Sequence, residues 1–158
     1  MGSIHWIALL VALAIPQIAG GIGAIFTSSA VRTWYATLTR PDFAPPNWVF
    51  GPVWTTLFIL MGIASYLVWS AGWERSDVRV AIMAFAVQLM LNVLWSLLFF
   101  GARNPGGALI EIIVLWIAIA ATIVLFWRIS TVAGLLLVPY ILWVSFASYL
   151  NYSFWRLN

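Results

Sequence analysis

Long apolar runs alternate with short polar segments along the whole sequence. A transmembrane helix needs about 20 predominantly apolar residues, and five runs meet this requirement: residues 6–26, 49–71, 80–100, 107–127 and 132–154. The three later connections are short, which makes consecutive helices antiparallel neighbours. The pattern predicts an all-α membrane protein in which residues 1–158 form a single domain, a bundle of five transmembrane helices.

The first connection, residues 27–48, is the only long one, and it is nearly as apolar as the helices around it. It contains Pro41, Pro45 and Pro46. Proline fixes φ at about −65° and lowers the entropy cost of ordering a loop. The composition therefore predicts a stiff apolar loop rather than a solvated linker.

The first predicted helix carries small residues or proline at every fourth position, which places them on one face: Ala8, Ala12, Pro16, Gly20 and Ala24. Such a stripe allows another backbone to approach closely. It favours either packing inside the molecule or a homodimer face. Pro16 and Pro139 each remove a backbone donor, so we expect bends in the first and fifth helices.

The composition agrees with a membrane protein. Of all residues, 65% are hydrophobic and 7% are charged, whereas a soluble domain has about a quarter charged residues. Lysine is absent, and the seven arginines lie in or beside the gaps between apolar runs, where basic residues anchor helix ends. Nucleic-acid binding is not expected, because it would require a basic patch on one face.

The sequence offers no conventional catalytic constellation. It has no cysteine, one histidine and four acidic residues, too few for a metal site or a Ser-His-Asp arrangement. We predict no metal and no cofactor. Glu111 is the exception, because an ionisable residue inside a transmembrane run is a candidate functional residue. Structural anchoring, for example through Arg103, and a ligand or proton role both stay open.

Polar amides inside the third apolar run are a second candidate feature. Asn92 lies one turn before Trp95 in QLMLNVLW, and Gln88 lies one turn earlier on the same face. A buried amide needs hydrogen-bond partners. The two amides are therefore either polar contacts between helices or partners of a bound ligand.

Residues 34–58, WYATLTRPDFAPPNWVFGPVWTTLF, carry the most specific pattern in the chain. A Trp-Tyr pair, a basic residue with proline, PP-x-W-V and G-P-V-W follow at fixed spacing. Further matching segments are GIASYLVW, QLMLNVLW, FFGARNPGGAL, VPYILW and LNYSFWR. Together they resemble the TspO/MBR family, which includes the translocator protein, or peripheral-type benzodiazepine receptor, of mitochondria. The resemblance spans nearly the whole chain.

The resemblance implies a five-helix bundle, usually a homodimer, with a ligand cavity closed by the first loop, residues 27–48, acting as a lid. The ligands it implies are flat tetrapyrroles such as protoporphyrin IX and haem, and synthetic benzodiazepine-site compounds. Stacking on indoles suits such molecules. Carried over by motif, the ligand-binding residues are Tyr35, Pro45, Trp54, Phe58, Asn92, Trp95, Trp143 and Ala147.

The expected function is an integral-membrane receptor or carrier for tetrapyrroles, with a role in porphyrin homeostasis or stress response. The alternative is a light- and oxygen-dependent porphyrin-degrading enzyme, for which Trp54 and Trp143 are the catalytic candidates. A regulatory scaffold that changes its partner contacts when ligand binds is a third reading.

The segment LNYSFWR also fits a sterol-binding pattern through Leu150, Tyr152 and Arg156. The pattern is common by chance in aromatic helices flanked by arginine. Its placement matches the sterol motif of the mitochondrial relatives, so sterols join the expected partners.

Departures from the mammalian relatives concern the first loop and the third helix. After the proline of the first-loop motif those relatives tend to have an aromatic residue and a histidine, whereas this chain has Asp42, Phe43 and Ala44. In the third helix, Ser96 and Leu97 stand where those relatives carry prolines. These differences favour a prokaryotic membrane over the mitochondrial outer membrane, and they put the ligand preference in doubt.

Overall fold

A computed structural model of the protein describes residues 4–158. Within this range there is no strand, and five helical segments are long and apolar enough to cross a membrane. The predicted all-α architecture with five spans is therefore confirmed. The helices are α1 (Trp6–Arg32), α2 (Trp34–Thr37), α3 (Asn47–Trp69), α4 (Ser76–Ser96), α5 (Pro105–Ile129), α6 (Thr131–Leu136) and α7 (Val138–Leu157).

The first connection is shorter than the sequence suggested, and a long loop over residues 27–48 is not confirmed. α1 continues to Arg32, α2 adds a helical turn, and α3 already begins at Asn47. The Thr27 hydroxyl donates to the Gly23 carbonyl at 3.0 Å, so this polar side chain is satisfied within α1. Between α1 and α3, only Thr33 and residues 38–46 lie outside helices.

The fifth span consists of two helices, α6 and α7, separated at Leu137. Pro139 lies in the first turn of α7, where a helix tolerates a residue that lacks an N–H. The interruption thus lies where Pro139 predicted a bend. Pro16, by contrast, lies inside α1, which continues as one helix on both sides of it.

α1 and α3 pack closely through small residues. A Cβ added to Gly62 would lie 2.8 Å from both the Ala12 carbonyl oxygen and the Leu13 Cα. A Cβ added to Gly20 would collide with the ring of Phe58. Ala12 and Gly20, two members of the predicted small-residue stripe, therefore contribute to packing inside the molecule.

α4 ends in a π-helical turn, Leu97–Gly101, and Arg103 in the following segment has a positive φ of 52°. π-helical turns are rare and frequently occur at functional sites. The next helix, α5, is capped by Asn104, whose side chain accepts from the Gly107 N–H at 2.9 Å. This region holds Phe99 almost fully buried between α4, α5 and α7.

Candidate ligand-binding site

A cavity of about 530 Å³ lies in the half of the bundle next to the first connection, within the usual range for small-molecule sites. Helices α1, α3, α4 and α7 form most of its wall. Its aromatic lining comprises Tyr35, Phe50, Trp54, Phe58, Trp95, Phe99, Phe100, Trp143 and Phe154.

Most of the residues predicted to bind ligand meet at this cavity. Those that line it are Tyr35, Trp54, Phe58, Asn92, Trp95, Trp143 and Ala147. The remaining candidate, Pro45, is not among the lining residues. Its carbonyl accepts a hydrogen bond from Arg40 Nη2 at 2.8 Å, so the contact that the structure gives it stabilises the loop.

The α3 wall of the cavity is a stack of two aromatic rings. Trp54 and Phe58, one helical turn apart, have ring centroids 5.5 Å apart and planes inclined by 27°. Trp54 also meets the ring of Tyr140 edge to face at 6.2 Å. Because Gly20 has no side chain, α1 approaches the other side of Phe58 closely. The stack is therefore held from both sides.

The α7 wall combines a large and a small residue. Trp143 contacts Phe50 of α3 edge to face, with centroids 5.8 Å apart. One turn later, Ala147 is buried and lines the cavity. A small residue at this position leaves free volume beside the indole, which a flat ligand could occupy.

A chain of buried hydrogen bonds lies behind the cavity. Asn92 Nδ2 donates to the Tyr140 hydroxyl at 3.1 Å, and the Tyr140 hydroxyl donates to Gln88 Oε1 at 2.8 Å. Gln88 and Tyr140 are 1% exposed, and neither lines the cavity. Gln88 is thus a polar contact between helices. Asn92 makes such a contact and also faces the cavity.

Trp95 is fixed by a second hydrogen-bonded amide. Its Nε1 donates to Asn151 Oδ1 at 3.0 Å, and Asn151 Nδ2 donates to the Pro105 carbonyl at 2.8 Å. Its ring also stacks on Phe99, with centroids 5.3 Å apart. These contacts connect α4, α5 and α7 and hold the indole in one orientation.

Tyr35 lies where α2 meets the cavity. Burial raises the pKa of its hydroxyl above the ordinary value, while nearby Arg40 acts in the opposite direction. The phenol is therefore neutral at physiological pH. The Arg40 guanidinium lies 5.6 Å from the Tyr35 ring centroid, a cation–π distance, and its Nη1 donates to Asn47 Oδ1 at 2.9 Å. A positive charge thus lies beside two lining residues.

The three residues of the sterol pattern do not share one surface. Leu150 is buried and lines the cavity. Tyr152 and Arg156, one turn apart, are both exposed on the outer side of α7. A single sterol on the outside of the helix could contact the latter two but not Leu150.

The α1 wall of the cavity was not predicted. Gln17, Gly20, Gly23 and Thr27 all line it, and a Cβ at Gly23 would lie 3.1 Å from Ser96 Oγ. The stripe of small residues was a signal that something approaches α1 closely, but it could not show what. Asn151 was also missed, although a polar amide inside an apolar run is the signal that singled out Asn92.

Glu111 lies outside the cavity lining. Its side chain is 7% exposed, and neither carboxyl oxygen has a hydrogen-bond partner among the described residues. In particular, the anticipated pairing with Arg103 is not formed. The structure therefore gives no anchoring contact for this carboxyl group.

The TspO/MBR family model matches residues 12–156. This chain belongs to the TspO/MBR family. Its relatives within the family include the "Tryptophan-rich protein TspO" of Chlorobaculum tepidum, 49% identical over 139 residues that cover 88% of each chain. The protein of the same name from Archaeoglobus fulgidus is 49% identical over 140 residues, covering 88% of this chain and 89% of the relative.

The family likeness extends to animals. The "Translocator protein" of Homo sapiens is 39% identical over 154 residues, which cover 97% of this chain and 91% of the relative. The five apolar helices make this TspO/MBR protein an integral multi-pass membrane protein. The higher identity to the bacterial and archaeal relatives supports a prokaryotic membrane.

Proposed function

We propose that the protein is a membrane receptor or carrier that binds tetrapyrroles, namely protoporphyrin IX and haem, and acts in porphyrin homeostasis or stress response. The observation that carries the proposal is the convergence of three indoles, Trp54, Trp95 and Trp143, on one cavity of about 530 Å³. Flat conjugated rings stack favourably on indoles, and aromatic pockets with few polar groups are typical of sites for such ligands.

The charge beside the cavity suits the carboxylates of these tetrapyrroles. Arg40 is exposed and lies next to Tyr35 and Asn47, both of which line the cavity. A flat ring held between the aromatic walls would bring its propionate groups towards this end. Guanidinium groups bind carboxylates through paired hydrogen bonds.

Access from the lipid phase is supported by the exposed lining residues of α1 and α3. Gly21 and Gly51 are exposed and line the cavity. A Cβ added to either would meet nothing within 4 Å. The lining is thus exposed on both helices, which suits an apolar ligand that enters from the membrane.

The test is quenching of tryptophan fluorescence by protoporphyrin IX in the dark, with Trp54→Phe and Trp143→Phe variants. Trp73→Phe is the matched control, because Trp73 is exposed and lies between α3 and α4. We expect saturable quenching that is weakened in the two cavity variants and unchanged in the control. Quenching that does not saturate, or that is equal in all variants, would count against the proposed site.

The porphyrin-degrading enzyme is the second candidate function. It is favoured by the position of Trp54 and Trp143 in the same cavity, where both indoles could contact a porphyrin excited by light while molecular oxygen serves as the oxidant. Light-dependent product formation that is lost in variants still able to bind porphyrin would support this candidate. Equal photo-oxidation with and without the protein would exclude it.

Sterol binding is proposed for the outer face of α7, where Tyr152 and Arg156 lie together. Labelling by a photoreactive sterol should fall in Tyr152→Phe and Arg156→Gln proteins. It should persist in Arg128→Gln, which changes an arginine at the end of α5. Labelling that is unaffected by either α7 change would remove the proposal.

A homodimer is proposed through the apolar groove between α1 and α4, whose lining includes Val11, Ile15 and Met90. This groove would receive the same surface of a second copy. Cross-linking in liposomes should show a dimer that is weakened by Val11→Trp. The control is Val124→Trp, because Val124 is equally exposed on α5. A monomeric wild-type protein would contradict the proposal.

A further inference from the structure

We propose that Asn92 presents its carbonyl oxygen to the cavity, so that the site selects flat ligands carrying an N–H donor at their edge. Tyr140 is the positioning residue that fixes this orientation. The inference rests on the proposed function, because it concerns the same cavity and deepens its ligand class. Its test is chosen so that the two can fail separately.

Met61 determines the direction of the hydrogen-bond chain. The sulfur of Met61 can accept a hydrogen bond but cannot donate one, and Gln88 Nε2 lies 4.0 Å from it. The Gln88 Nε2 therefore faces Met61, and the Gln88 Oε1 faces Tyr140. The Tyr140 hydroxyl donates its single proton to this oxygen at 2.8 Å.

This arrangement determines the orientation of Asn92. Since the Tyr140 proton is engaged with Gln88, its oxygen can only accept from Asn92, and Asn92 Nδ2 donates to it at 3.1 Å. Reversing the chain would flip both amides and place Gln88 Oε1 against the Met61 sulfur. Two acceptors would then face each other in a fully buried place, which costs free energy.

The opposite end of the Asn92 amide is left for a ligand. Asn92 lines the cavity, and its Oδ1 accepts no hydrogen bond from the described residues. Within residues 4–158, the only side-chain oxygens that are both fully enclosed and without a partner are those of Glu111. Asn92 Oδ1 is therefore not fully enclosed. The neighbouring polar groups of Trp95 and Asn151 are already paired with each other. Asn92 Oδ1 is therefore the acceptor that this wall offers.

An unpaired acceptor in an apolar cavity discriminates between ligands by chemistry. A ligand N–H directed at Asn92 gains a hydrogen bond, whereas an oxygen at the same point leaves two acceptors in contact. Closed tetrapyrrole rings direct their N–H groups to the ring centre, so a porphyrin would bind here by stacking, and the preference concerns flat ligands that carry a lactam N–H at the edge.

The experiment measures the dissociation constants of phenanthridinone, a flat lactam, and benzocoumarin, the lactone in which oxygen replaces the N–H. The two differ at one atom, and empty detergent micelles correct for partitioning. Wild-type protein should bind the lactam about tenfold more tightly, the ratio that a hydrogen bond of ordinary strength produces. In Asn92→Leu the preference should disappear.

Tyr140→Phe tests the positioning role. It removes the group that orients Asn92, so the amide can turn to suit either ligand and the preference should fall below about twofold. Tyr149→Phe is the matched control, since it removes a hydroxyl from an exposed tyrosine of the same helix, and it should retain the full preference. A purely structural role would change both affinities equally and leave their ratio intact.

Met61→Leu provides a second test if Tyr140→Phe does not fold. Met61 is fully buried and does not line the cavity, and its loss removes the acceptor that orients Gln88. The preference for the lactam over the lactone should fall in Met61→Leu as well. Equal binding of lactam and lactone by wild-type protein, or a full preference in Asn92→Leu, would overturn the proposal. Protoporphyrin IX is titrated in the same samples, so its failure to bind would refute the proposed function separately.

Discussion

Thr39 and Asn158 form a reciprocal pair of hydrogen bonds across the open end of the bundle. The Thr39 N–H donates to Asn158 Oδ1 at 2.8 Å, and Asn158 Nδ2 donates to the Thr39 carbonyl at 3.2 Å. The segment between α2 and α3 is thereby fixed to the last turn of α7. Phe43 adds a second contact by stacking on Tyr149 of α7, with centroids 5.0 Å apart.

These contacts predict that the segment controls ligand exchange. Asn158→Ala removes both hydrogen bonds to Thr39, so the segment should open more often and protoporphyrin IX should dissociate faster, by up to about thirtyfold if each of the two bonds contributes about 1 kcal/mol. Stopped-flow fluorescence measures the rate. Ser153→Ala, which changes another polar residue of α7 that bonds only within its helix, is the control. An unchanged dissociation rate in Asn158→Ala would show that the segment is not a lid.

Close packing of α1 on α3 predicts a stability effect at Gly62. The Cβ of Gly62→Ala would lie 2.8 Å from backbone atoms of Ala12 and Leu13, which cannot move without shifting α1. The free energy of unfolding should fall by about 1–3 kcal/mol. Unfolding in mixed micelles measures it, with Gly51→Ala as control because its Cβ would meet nothing within 4 Å. Equal stability of the two variants would contradict this packing.

How far the sequence predicts the fold is clearest at the helix ends. The apolar runs predicted five spans because hydrophobic length is the main requirement for crossing a bilayer. The predicted end of the first helix at residue 26 was wrong, because α1 continues to Arg32. Hydropathy falls at Thr27, but the Thr27 hydroxyl bonds to a carbonyl of its own helix. Such a bond is local but leaves no trace in a hydropathy pattern. The helical turn of α2 was missed in the same proline-rich connection.

Some residues of the site could be predicted from the sequence, and others could not. Trp54, Asn92 and Trp143 belong to sequence motifs of the family, and the structure places them on one cavity. Gly20 and Gly23 could not be predicted as wall residues, because they contribute space rather than a functional group. The role of Tyr140 depends on hydrogen bonds to residues 48 and 52 positions away in sequence, and only the tertiary structure shows these.

Glu111 leads to a prediction about stability. Its buried carboxyl group has no hydrogen-bond partner among the described residues, and replacing an unsatisfied polar group by an apolar one of similar size removes its desolvation cost. Glu111→Leu should raise the free energy of unfolding by about 1–3 kcal/mol. Glu74→Leu, at an exposed position between α3 and α4, should change it by less than about 0.5 kcal/mol. A destabilised Glu111→Leu protein would instead point to a partner or proton role for this carboxyl group.

The central claim, that tetrapyrroles occupy the cavity, is tested most directly by filling the space beside Trp143. Ala147 is 8% exposed and lines the cavity, so Ala147→Leu would occupy volume that the ligand needs. Calorimetric titration with protoporphyrin IX in the dark should show an affinity lowered by at least about tenfold, the effect of overpacking a close-fitting site. Ala121→Leu, an exposed alanine of α5, should bind as wild type does. Equal affinity in the two variants would mean that the tetrapyrrole binds elsewhere.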